Sequence, residues 1–552
     1  MHEPYLTPLD CLYKWEKTRP NDIYLKQPRN RIWQEYSWKD VADEARSMAN
    51  ALADLDVKKG DRVAIISKNC AEWIISDLAI MMNGAISVPL YPTQSDEAIQ
   101  YVLEHSGAAV AFLGKLDNPE HMQKIIPVNI KKIGFNYEGI HAPLMWNDLI
   151  KHFAPVVKPY HPTLDDIYTL IYTSGTTGNP KGVVNTYSAA SYAATQNLTN
   201  FSVNSQDHVL SFLPLAHVAE RILVELPSLY GGFTVSFSES LETFPQDLWL
   251  VKPTRFFAVP RLWTKYRMAI LENIPQKKLD ILLSIPLVSG YIKKKIRKSL
   301  GLENATICAS GAAPLAMPVL QWFKRLGITI QEGYGMSENW GYASFNTVGN
   351  IQLGTVGKPS PGADIKISEI GEILIKSPAT MQGYYLDEEK TREVIKDGYY
   401  HTGDKGQLCK DGFLTITGRI KDTFKTSKGE FINPSHIENL LAENTGIEQL
   451  CVLGLGLPQP LALVVLSAQA KAKPQQQVTE ELRHTFDKVN SVLKSHEVLN
   501  GLVVVKDEWL PENNLMTPTL KVKRNEVADR YQAIIQKYAD SKTVVWESSH
   551  SL

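Results

Sequence analysis

Residues 173–182 combine side chains that suit the binding of a polyphosphate. The segment reads TSGTTGNPKG and directly follows the apolar stretch TLIY. Its glycines allow tight turns and a close approach of the backbone to a ligand. Consecutive backbone N–H groups in such a loop form a concavity that binds anions. Hydroxyls and one ammonium group add donors, so the candidate phosphate contacts are Thr173, Ser174, Gly175, Thr176, Thr177, Gly178 and Lys181.

This loop is not a Walker A motif, which requires the pattern G-x-x-x-x-G-K-[ST]. Here Gly175 and Gly178 are too close together, and Lys181 precedes Gly182. An ordinary polar turn between a strand and a helix is the alternative interpretation. The presence of three glycines, four hydroxyls and a lysine within ten residues favours the phosphate loop.

The sequence YTSGTTGNPKG resembles the signature of the adenylate-forming superfamily, which includes acyl-CoA synthetases, luciferases and peptide-synthetase adenylation domains. The resemblance extends from about residue 10 to residue 540, with the other motifs in the family order. It implies an enzyme that uses ATP to activate a carboxylic acid as its acyl-AMP and then passes the acyl group to coenzyme A.

The resemblance implies that two further segments border the nucleotide. In SGAAP, the small residues Gly311, Ala312 and Ala313 lie against adenine and the acyl group, where large side chains would fill the slot. In QEGYGMSE, Tyr334 stacks near adenine and Glu338 binds Mg²⁺ together with Thr177, because a hard cation prefers oxygen ligands. The remaining nucleotide contacts implied for this segment are Glu332, Gly333, Gly335, Met336 and Ser337.

A ribose clamp is implied by the segments YHTGD and GR. By the resemblance, the carboxylate of Asp404 accepts the protons of both ribose hydroxyls, and Arg419 on the next strand adds donors. A surface ion pair between adjacent strands is the alternative interpretation of these two residues.

Three functions of the C-terminal region rest on the same resemblance. TLKVKR resembles the terminal lysine motif, in which Lys521 bridges the substrate carboxylate and the α-phosphate. RIKD matches the family hinge and places Lys421 at the pivot. Lys425 and Gly429 lie where the family lines its coenzyme A tunnel.

The segment PLAHVAER at 214–221 bears on the identity of the acid. It resembles the P-L-x-H-x-x-E-R pattern of long-chain fatty acyl-CoA synthetases, and the residue before Lys521 is Leu520, as in that branch. The resemblance places His217 beside the acyl pocket and implies a long-chain fatty acid. A histidine that caps the start of a helix is the alternative.

The implied reaction brings two anions together, so positive charge must lie where they meet. Mg²⁺ on Glu338, Lys181 near the leaving phosphates and Lys521 at the α-phosphate would supply that charge. One well-placed donor of this kind lowers a barrier by about 3–4 kcal/mol. No nucleophilic side chain is required.

Apolar runs that alternate with amphipathic segments must position these residues. The runs at 62–66, 87–91, 109–113, 169–173 and 255–259 predict buried strands. A helix is predicted to begin after Ser95 and to end near Gly107. Strands alternating with helices predict an α/β fold of mostly parallel sheets. After Gly354, the stretches 371–376 and 413–419 predict antiparallel strands of a small β-barrel-like part.

A domain boundary is expected near Lys421. Residues 1–420 would form the N-terminal domain with the ATP and acyl sites. Residues 421–552 would form a small, mobile α+β domain that carries the terminal lysine. Asn433-Pro434 predicts the start of a helix in it, and KAKPQQQ at 471–477 predicts a surface loop.

Composition restricts the partners. The net charge of −1 provides no global field that recruits nucleic acid or an anionic membrane, so any anionic ligand must be held by local groups. The cysteines show no C-x-x-C spacing, which argues against a disulfide framework or zinc site and favours a reducing, cytoplasmic setting. The stretch 285–301 is apolar and then basic, so it could contact the inner face of a membrane; a solvated helix face is the alternative. Formation of a homodimer stays open.

Three other functions stay open at this point. The acyl group could pass to an acyl-carrier protein, the chain could be a luciferase-like oxygenase, or it could be a non-catalytic relative that binds acyl groups or nucleotides. The set Lys181, Glu338, Asp404, Arg419 and Lys521 argues against the last alternative.

Overall fold

The computed structural model describes residues 5–173, 179–517 and 521–547. In these residues a large N-terminal part contains four sheets, and a smaller C-terminal part contains a two-stranded and a four-stranded sheet. The predicted α/β fold is confirmed.

An eight-stranded sheet forms the centre of the N-terminal part and is parallel except at one edge. In spatial order its strands are Gly383–Tyr384, Lys181–Thr186, Ile167–Thr173, Ile86–Leu90, Arg62–Ile66, Ala108–Leu113, Lys131–Gly134 and Leu144–Met145. Its central strands read as continuous apolar runs because both faces are covered. Val63 and Ile65 pack into one hydrophobic cluster, whereas Ala64 and Ile66 pack into another on the opposite face.

Three further sheets complete the N-terminal part. A four-stranded sheet contains His208–Ser211, Thr234–Phe237, Ile23–Arg29 and Ile32–Ser37. A five-stranded sheet contains Arg255–Phe257, Ile307–Ser310, Ile330–Tyr334, Ser344–Phe345 and Lys358–Pro359. The predicted antiparallel part is a five-stranded sheet of Asp364–Ile367, Glu372–Lys376, Tyr399–Leu408, Ile395–Lys396 and Leu414–Arg419.

Helices cover these sheets. The helices described in the N-terminal part are Pro8–Thr18, Trp38–Asp54, Ala71–Asn83, Asp96–Ser106, Pro119–Ile125, Trp146–His152, Tyr187–Asn200, Val218–Glu220, Leu226–Gly231, Phe244–Val251, Pro260–Asn273, Gln276–Ser284, Pro286–Ser299, Met317–Arg325 and Glu388–Val394, with a π-helical turn at Arg221–Glu225 and a 3₁₀ turn at Ser337–Asn339. The predicted helix after Ser95 is confirmed, since the Ser95 hydroxyl accepts a hydrogen bond from the Ala98 N–H and the helix ends at Gly107 with a φ of 62°.

The C-terminal part pairs a short hairpin with an α+β unit. The hairpin joins Phe424–Lys425 to Phe431–Ile432, and the four-stranded sheet contains Ile447–Leu453, Leu461–Leu466, Leu502–Val504 and Val544–Trp546. Its helices are Pro434–Leu441, Ala468–Lys471, Gln475–Asn490, Arg524–Arg530 and Gln532–Tyr538. The helix predicted at Asn433-Pro434 is confirmed, with Asn433 as its N-cap.

The prediction of a surface loop at 471–477 was wrong in part. A helix begins at Gln475 and runs to Asn490. Glutamine is a good helix former, and the buried side chains Val478, Leu482 and Phe486 repeat every four residues. The loop is therefore confined to the residues around Pro474.

Candidate active site

The predicted phosphate loop connects two antiparallel strands. Ile167–Thr173 pairs with Lys181–Thr186, and Thr173 lies opposite Lys181. The connection is therefore a hairpin, rather than a turn from a strand into a helix. The other predicted loop residues lie outside the described part of the chain: Ser174, Gly175, Thr176, Thr177 and Gly178.

Lys181 begins the second strand of this hairpin, directly after the connecting loop, in a cationic environment. Its Nζ is 5.3 Å from the centroid of the Tyr384 ring. Burial lowers the pKa of Lys181, and the neighbouring charges of Lys390 and Lys421 lower it further. An anion bound here would relieve that repulsion, so the position favours a phosphate.

Glu338 is held beside the same tyrosine. Its Oε1 accepts a hydrogen bond of 3.0 Å from the Tyr384 hydroxyl, and its backbone carbonyl accepts one of 2.7 Å from the Met381 N–H. Tyr384 therefore links Glu338 to Lys181. Sequence reasoning missed Tyr384, for which the only signal was a tyrosine pair after a glycine in MQGYY.

The residues present fit a magnesium ion that is shared with a nucleotide. Mg²⁺ in such sites takes one or two carboxylates, and substrate phosphates and water complete its shell. Within the described ranges no group of three or more His, Cys, Asp and Glu side chains could hold a metal ion. Glu338, which is 9% exposed, offers one carboxylate oxygen beyond the one bonded to Tyr384.

Asp404 and Arg419 form a cross-strand pair on the antiparallel sheet. They lie directly opposite each other, with 2.9 Å between Arg419 Nε and Asp404 Oδ1. The Tyr334 hydroxyl donates a 2.7 Å hydrogen bond to Asp404 Oδ2. The structure thus brings the predicted ribose and adenine residues together. These two bonds hold the Asp404 carboxylate, which is 5% exposed. The Arg419 side chain is half exposed.

Glycines near Tyr334 are required by local packing. A Cβ on Gly335 would lie 2.2 Å from the Gly341 backbone, and one on Gly333 would lie 2.3 Å from the Phe345 ring. At Gly311 a Cβ would lie 3.2 Å from the Phe257 ring. The predicted adenine slot beside Tyr334 therefore requires that these three positions carry no side chain.

Of the other predicted nucleotide contacts, some are exposed and others point into the protein. Ala312 and Ala313 are exposed, and Ala312 has a φ of 66°. The Glu332 carboxylate accepts a hydrogen bond from the Leu315 N–H, and burial raises its pKa to about 7. Because side chains alternate along a strand, Glu332 points away from the face that carries Gly333.

Met336 and Ser337 contribute mainly through their backbone. The Met336 N–H donates to the Asn339 side chain, and the Ser337 carbonyl accepts from Asn185. These bonds shape the turn that presents Glu338.

Lys521 shares its environment with the residues just described. The residue as a whole is exposed, but protein surrounds its ammonium group, and this burial lowers its pKa to about 8. Arg419 lowers that pKa further, whereas Asp404 and Glu338 raise it. The C-terminal part therefore places this ammonium group within electrostatic reach of the nucleotide-site candidates.

His217 caps a short helix and lies within electrostatic reach of Lys521. Its Nδ1 accepts a hydrogen bond of 3.0 Å from the Ala219 N–H, which is the capping arrangement weighed as the alternative. Burial, with a smaller contribution from Lys521, lowers its pKa to about 3. The imidazole is consequently neutral at physiological pH.

An apolar cavity adjoins Gly333. Its walls come from the helix Tyr187–Asn200, the turn Arg221–Glu225 and the sheet that contains Ile330–Tyr334. Representative lining residues are Phe201, Ile222, Val224, Phe257, Ala309 and Phe345. Its largely apolar lining is of the kind that an acyl chain would require.

Arg221 anchors one wall of this cavity. Its side chain is fully buried, with Nη2 2.7 Å from Asp77 and Nε 2.8 Å from Glu225. Its Nη1 donates a 2.9 Å hydrogen bond to Thr169, on the strand that leads into the phosphate loop. Sequence reasoning included Arg221 only as the last letter of PLAHVAER and missed this network.

Of the remaining C-terminal candidates, Lys421 lies two residues after Arg419, whereas Lys425 and Gly429 lie apart from the cluster around Asp404. Lys421 follows the strand Leu414–Arg419, and its charge reaches Lys181. Lys425 and Gly429 lie on the hairpin Phe424–Lys425 to Phe431–Ile432, where both are exposed. No contact between these two residues and the Asp404 cluster is found in the described residues.

Comparison with known proteins identifies the family. Residues 12–385 match the family described as AMP-binding enzyme, and residues 421–542 match the AMP-binding enzyme C-terminal domain. The chain belongs to the AMP-binding enzyme family. The resemblance to adenylate-forming enzymes that the motifs indicated is thereby confirmed.

Curated relatives in this family cover nearly the whole chain. It is 28% identical to the long-chain-fatty-acid–CoA ligase FadD15 of Mycobacterium bovis, over 95% of this chain and 96% of the relative. It is 30% identical to the long-chain-fatty-acid–CoA ligase 5 of Mus musculus, over 93% of this chain and 85% of the relative. The fatty acyl-CoA synthetase A of Dictyostelium discoideum is also 30% identical, over 92% and 87%.

Solved structures of AMP-binding enzymes share the fold. The adenylation domain of a carboxylate reductase from Mycobacterium chelonae matches with a TM-score of 0.83 at 21% identity, over 97% of this chain and 91% of that domain. The anthranilate CoA ligase AuaEII, solved with anthranoyl-AMP, matches with a TM-score of 0.79 at 21% identity, over 97% and 99%.

Proposed function

We propose that this AMP-binding enzyme uses ATP to convert a long-chain fatty acid into its acyl-AMP and then transfers the acyl group to coenzyme A. The observation that carries the proposal is the convergence of Lys521, Glu338 and the Asp404–Arg419 pair beside an apolar cavity. The names of the relatives support the choice of acid and acceptor.

In the first half-reaction a carboxylate oxygen of the acid attacks the α-phosphorus of ATP. The bond from that phosphorus to the bridging oxygen breaks, and pyrophosphate leaves. Lys521 would hold the carboxylate and the α-phosphate together, and Lys181 would bind the departing phosphates. Asp404 and Arg419 would fix the ribose. Positioning of this kind removes a large part of the barrier.

Magnesium would be held by Glu338 and by Thr177, and it would neutralise phosphate charge. The neutral His217 would border the acyl carboxyl end without adding charge to the cavity mouth.

In the second half-reaction the thiol of coenzyme A attacks the acyl carbon and AMP leaves. Lys521 would then lie in the way of the thiol, so the C-terminal domain would have to rotate. We place the boundary between residues 1–420 and 421–552, with Lys421 as the pivot, and assign Lys425 and Gly429 to the coenzyme A path. Rotation of this kind is a gating motion.

The proposal is tested by measuring pyrophosphate release with acetate, octanoate, palmitate, oleate and benzoate, followed by thioester formation with coenzyme A or acyl-carrier protein. We expect palmitate or oleate to give the highest kcat/KM, and coenzyme A to be the acceptor. A preference for benzoate or acetate would exclude a long-chain substrate. Thioester formation only with carrier protein would exclude coenzyme A.

We further propose that the enzyme works in the cytoplasm and meets its acid at an anionic membrane surface. Within the described residues no helix is both long and apolar enough to cross a bilayer. On the helix Pro286–Ser299, Leu287 and Tyr291 are 92% and 66% exposed and lie one turn apart. Lys294 and Lys298 continue the same face and form no ion pair with any described residue. Exposed apolar side chains next to lysines without ion pairs suit binding to a surface of anionic lipid.

Replacing Leu287 by Asp should weaken binding to vesicles of phosphatidylcholine and phosphatidylglycerol by at least about tenfold, because insertion of a leucine contributes about 1.5–3 kcal/mol. Co-sedimentation measures this. Val157 is equally exposed at 92%, so Val157→Asp is the matched control. Equal vesicle binding by both variants would show that the exposed face of the helix Pro286–Ser299 is not a membrane contact.

A further inference from the structure

Three buried polar side chains line the apolar cavity without a hydrogen-bond partner. Asn197 is 2% exposed, Ser310 is 1% and Gln331 is 4%. Among the described residues, no partner is found for either amide atom of Asn197, for the Ser310 Oγ or for the Gln331 Oε1. Leaving a buried polar atom without a partner is unfavourable, so a bound group that pairs with these atoms would stabilise the site.

The register of the sheet explains how Gln331 enters the cavity. Ala309 and Gln331 lie side by side on neighbouring parallel strands. Side chains alternate along a strand, so Gln331 shares its face with Gly333, and both line the cavity. Asn197 reaches the same cavity from the helix Tyr187–Asn200. The polar groups thus come from separate elements.

Other polar residues of the same cavity are satisfied within the protein. The Asn346 amide donates to the carbonyls of Glu332 and Thr355 and accepts from the Gln352 N–H. The Glu220 carboxylate accepts a 2.6 Å hydrogen bond from Ser211. The Arg255 Nε, which also lines the cavity and lacks a hydrogen-bond partner, still lies 2.8 Å from the Asp207 carboxylate in an ion pair. Asn197, Ser310 and Gln331 have no such charged neighbour at their unpaired atoms.

We propose that the cavity is built for an acyl chain that carries a hydroxyl group in its interior, so that the acid is a hydroxy fatty acid. A hydroxyl donates one hydrogen bond and accepts two, which matches an amide that offers both a carbonyl and an NH₂. A plain hydrocarbon chain would leave Asn197 and Gln331 unpaired. This inference rests on the proposed function, because it specifies the acid that the same site activates.

The test compares pyrophosphate release with palmitate and with hydroxypalmitates that carry the hydroxyl at different positions along the chain. We expect at least one hydroxy acid to exceed palmitate by about tenfold or more in kcat/KM, since sites that bond a substrate hydroxyl discriminate strongly against its absence. Gln331→Met and Asn197→Leu should remove this preference while keeping activity on palmitate, which also shows that the variants fold. Ile307→Met lies in the same cavity and should leave the preference unchanged.

The outcomes separate the two proposals. If wild-type enzyme activates palmitate as well as every hydroxy acid, ordered water satisfies these amides and the inference is overturned. A preference that survives in both Gln331→Met and Asn197→Leu would overturn it as well. If no acid of either kind releases pyrophosphate, the proposed function itself fails.

Discussion

Replacing Lys521 by Ala should lower the rate of acid-dependent pyrophosphate release by about 10²–10³-fold, the usual loss for one preorganised charged donor. The ammonium group lies within electrostatic reach of Arg419, Asp404 and Glu338, where the α-phosphate would be bound. Thioester formation from added acyl-AMP and coenzyme A should be much less affected, because that step proceeds after the lysine has moved away. Both half-reactions can be measured separately by rapid quench.

Lys523→Ala is the matched control, since it removes a lysine two positions away on the same segment. It should retain nearly full activity in both half-reactions. Equal losses in the two half-reactions of Lys521→Ala would contradict the assigned function and indicate a structural defect.

The charge of Lys521 also predicts a pH dependence of adenylation. The surrounding protein lowers its pKa to about 8, so the group is charged below that pH and becomes neutral above it. Because kcat/KM reports groups of the free enzyme, kcat/KM for pyrophosphate release should fall as the pH rises through about 8. The fall should be absent from the residual activity of Lys521→Ala.

Replacing Arg221 by Met should reduce the free energy of unfolding by about 3–5 kcal/mol, the range for breaking a buried ion pair on one side. Asp77 and Glu225 would then face each other without a cation, and each already has a carboxylate oxygen that lacks a hydrogen-bond partner among the described residues. The centre of the Arg221 guanidinium is 5.5 Å and 5.7 Å from the rings of Trp73 and Trp340. Tryptophan fluorescence during urea unfolding therefore reports on this region.

Arg325→Met provides the comparison for Arg221. Arg325 pairs with Asp280 at 2.5 Å, but the two side chains are 52% and 44% exposed. An exposed pair contributes at most about 1 kcal/mol. If both variants unfold at the same urea concentration, the buried network does not stabilise the domain as argued. Should Arg221→Met fail to accumulate, Arg221→Lys keeps a cation and is expected to be intermediate.

Local sequence patterns predicted the elements of the fold well. The strand Arg62–Ile66 has the predicted bounds, and the helix Asp96–Ser106 begins and ends at the expected caps. Both depend on burial periodicity and on capping groups within a few residues. The strand predicted at 255–259 stops at Phe257 because a helix with proline in its first turn begins at Pro260.

Local sequence patterns could not predict contacts between residues that are far apart in the chain. Tyr384 reaches Glu338 across 46 positions, and Arg221 reaches Asp77 across 144. The unpaired amides of Asn197 and Gln331 likewise become visible only when a helix and a sheet enclose one cavity. The roles of Asp404, Arg419 and Lys521 were implied by the family resemblance and not by any local pattern.

Transfer of an isotope from the acid to the nucleotide tests the central chemistry most directly. A fatty acid labelled with ¹⁸O in both carboxyl oxygens is incubated with the enzyme, ATP and coenzyme A, and the phosphate-containing products are analysed by mass spectrometry. Attack of the carboxylate on the α-phosphorus, followed by thiol attack on the acyl carbon, leaves one ¹⁸O in each AMP and none in pyrophosphate. AMP without label, or label in orthophosphate or pyrophosphate, would contradict formation of an acyl adenylate.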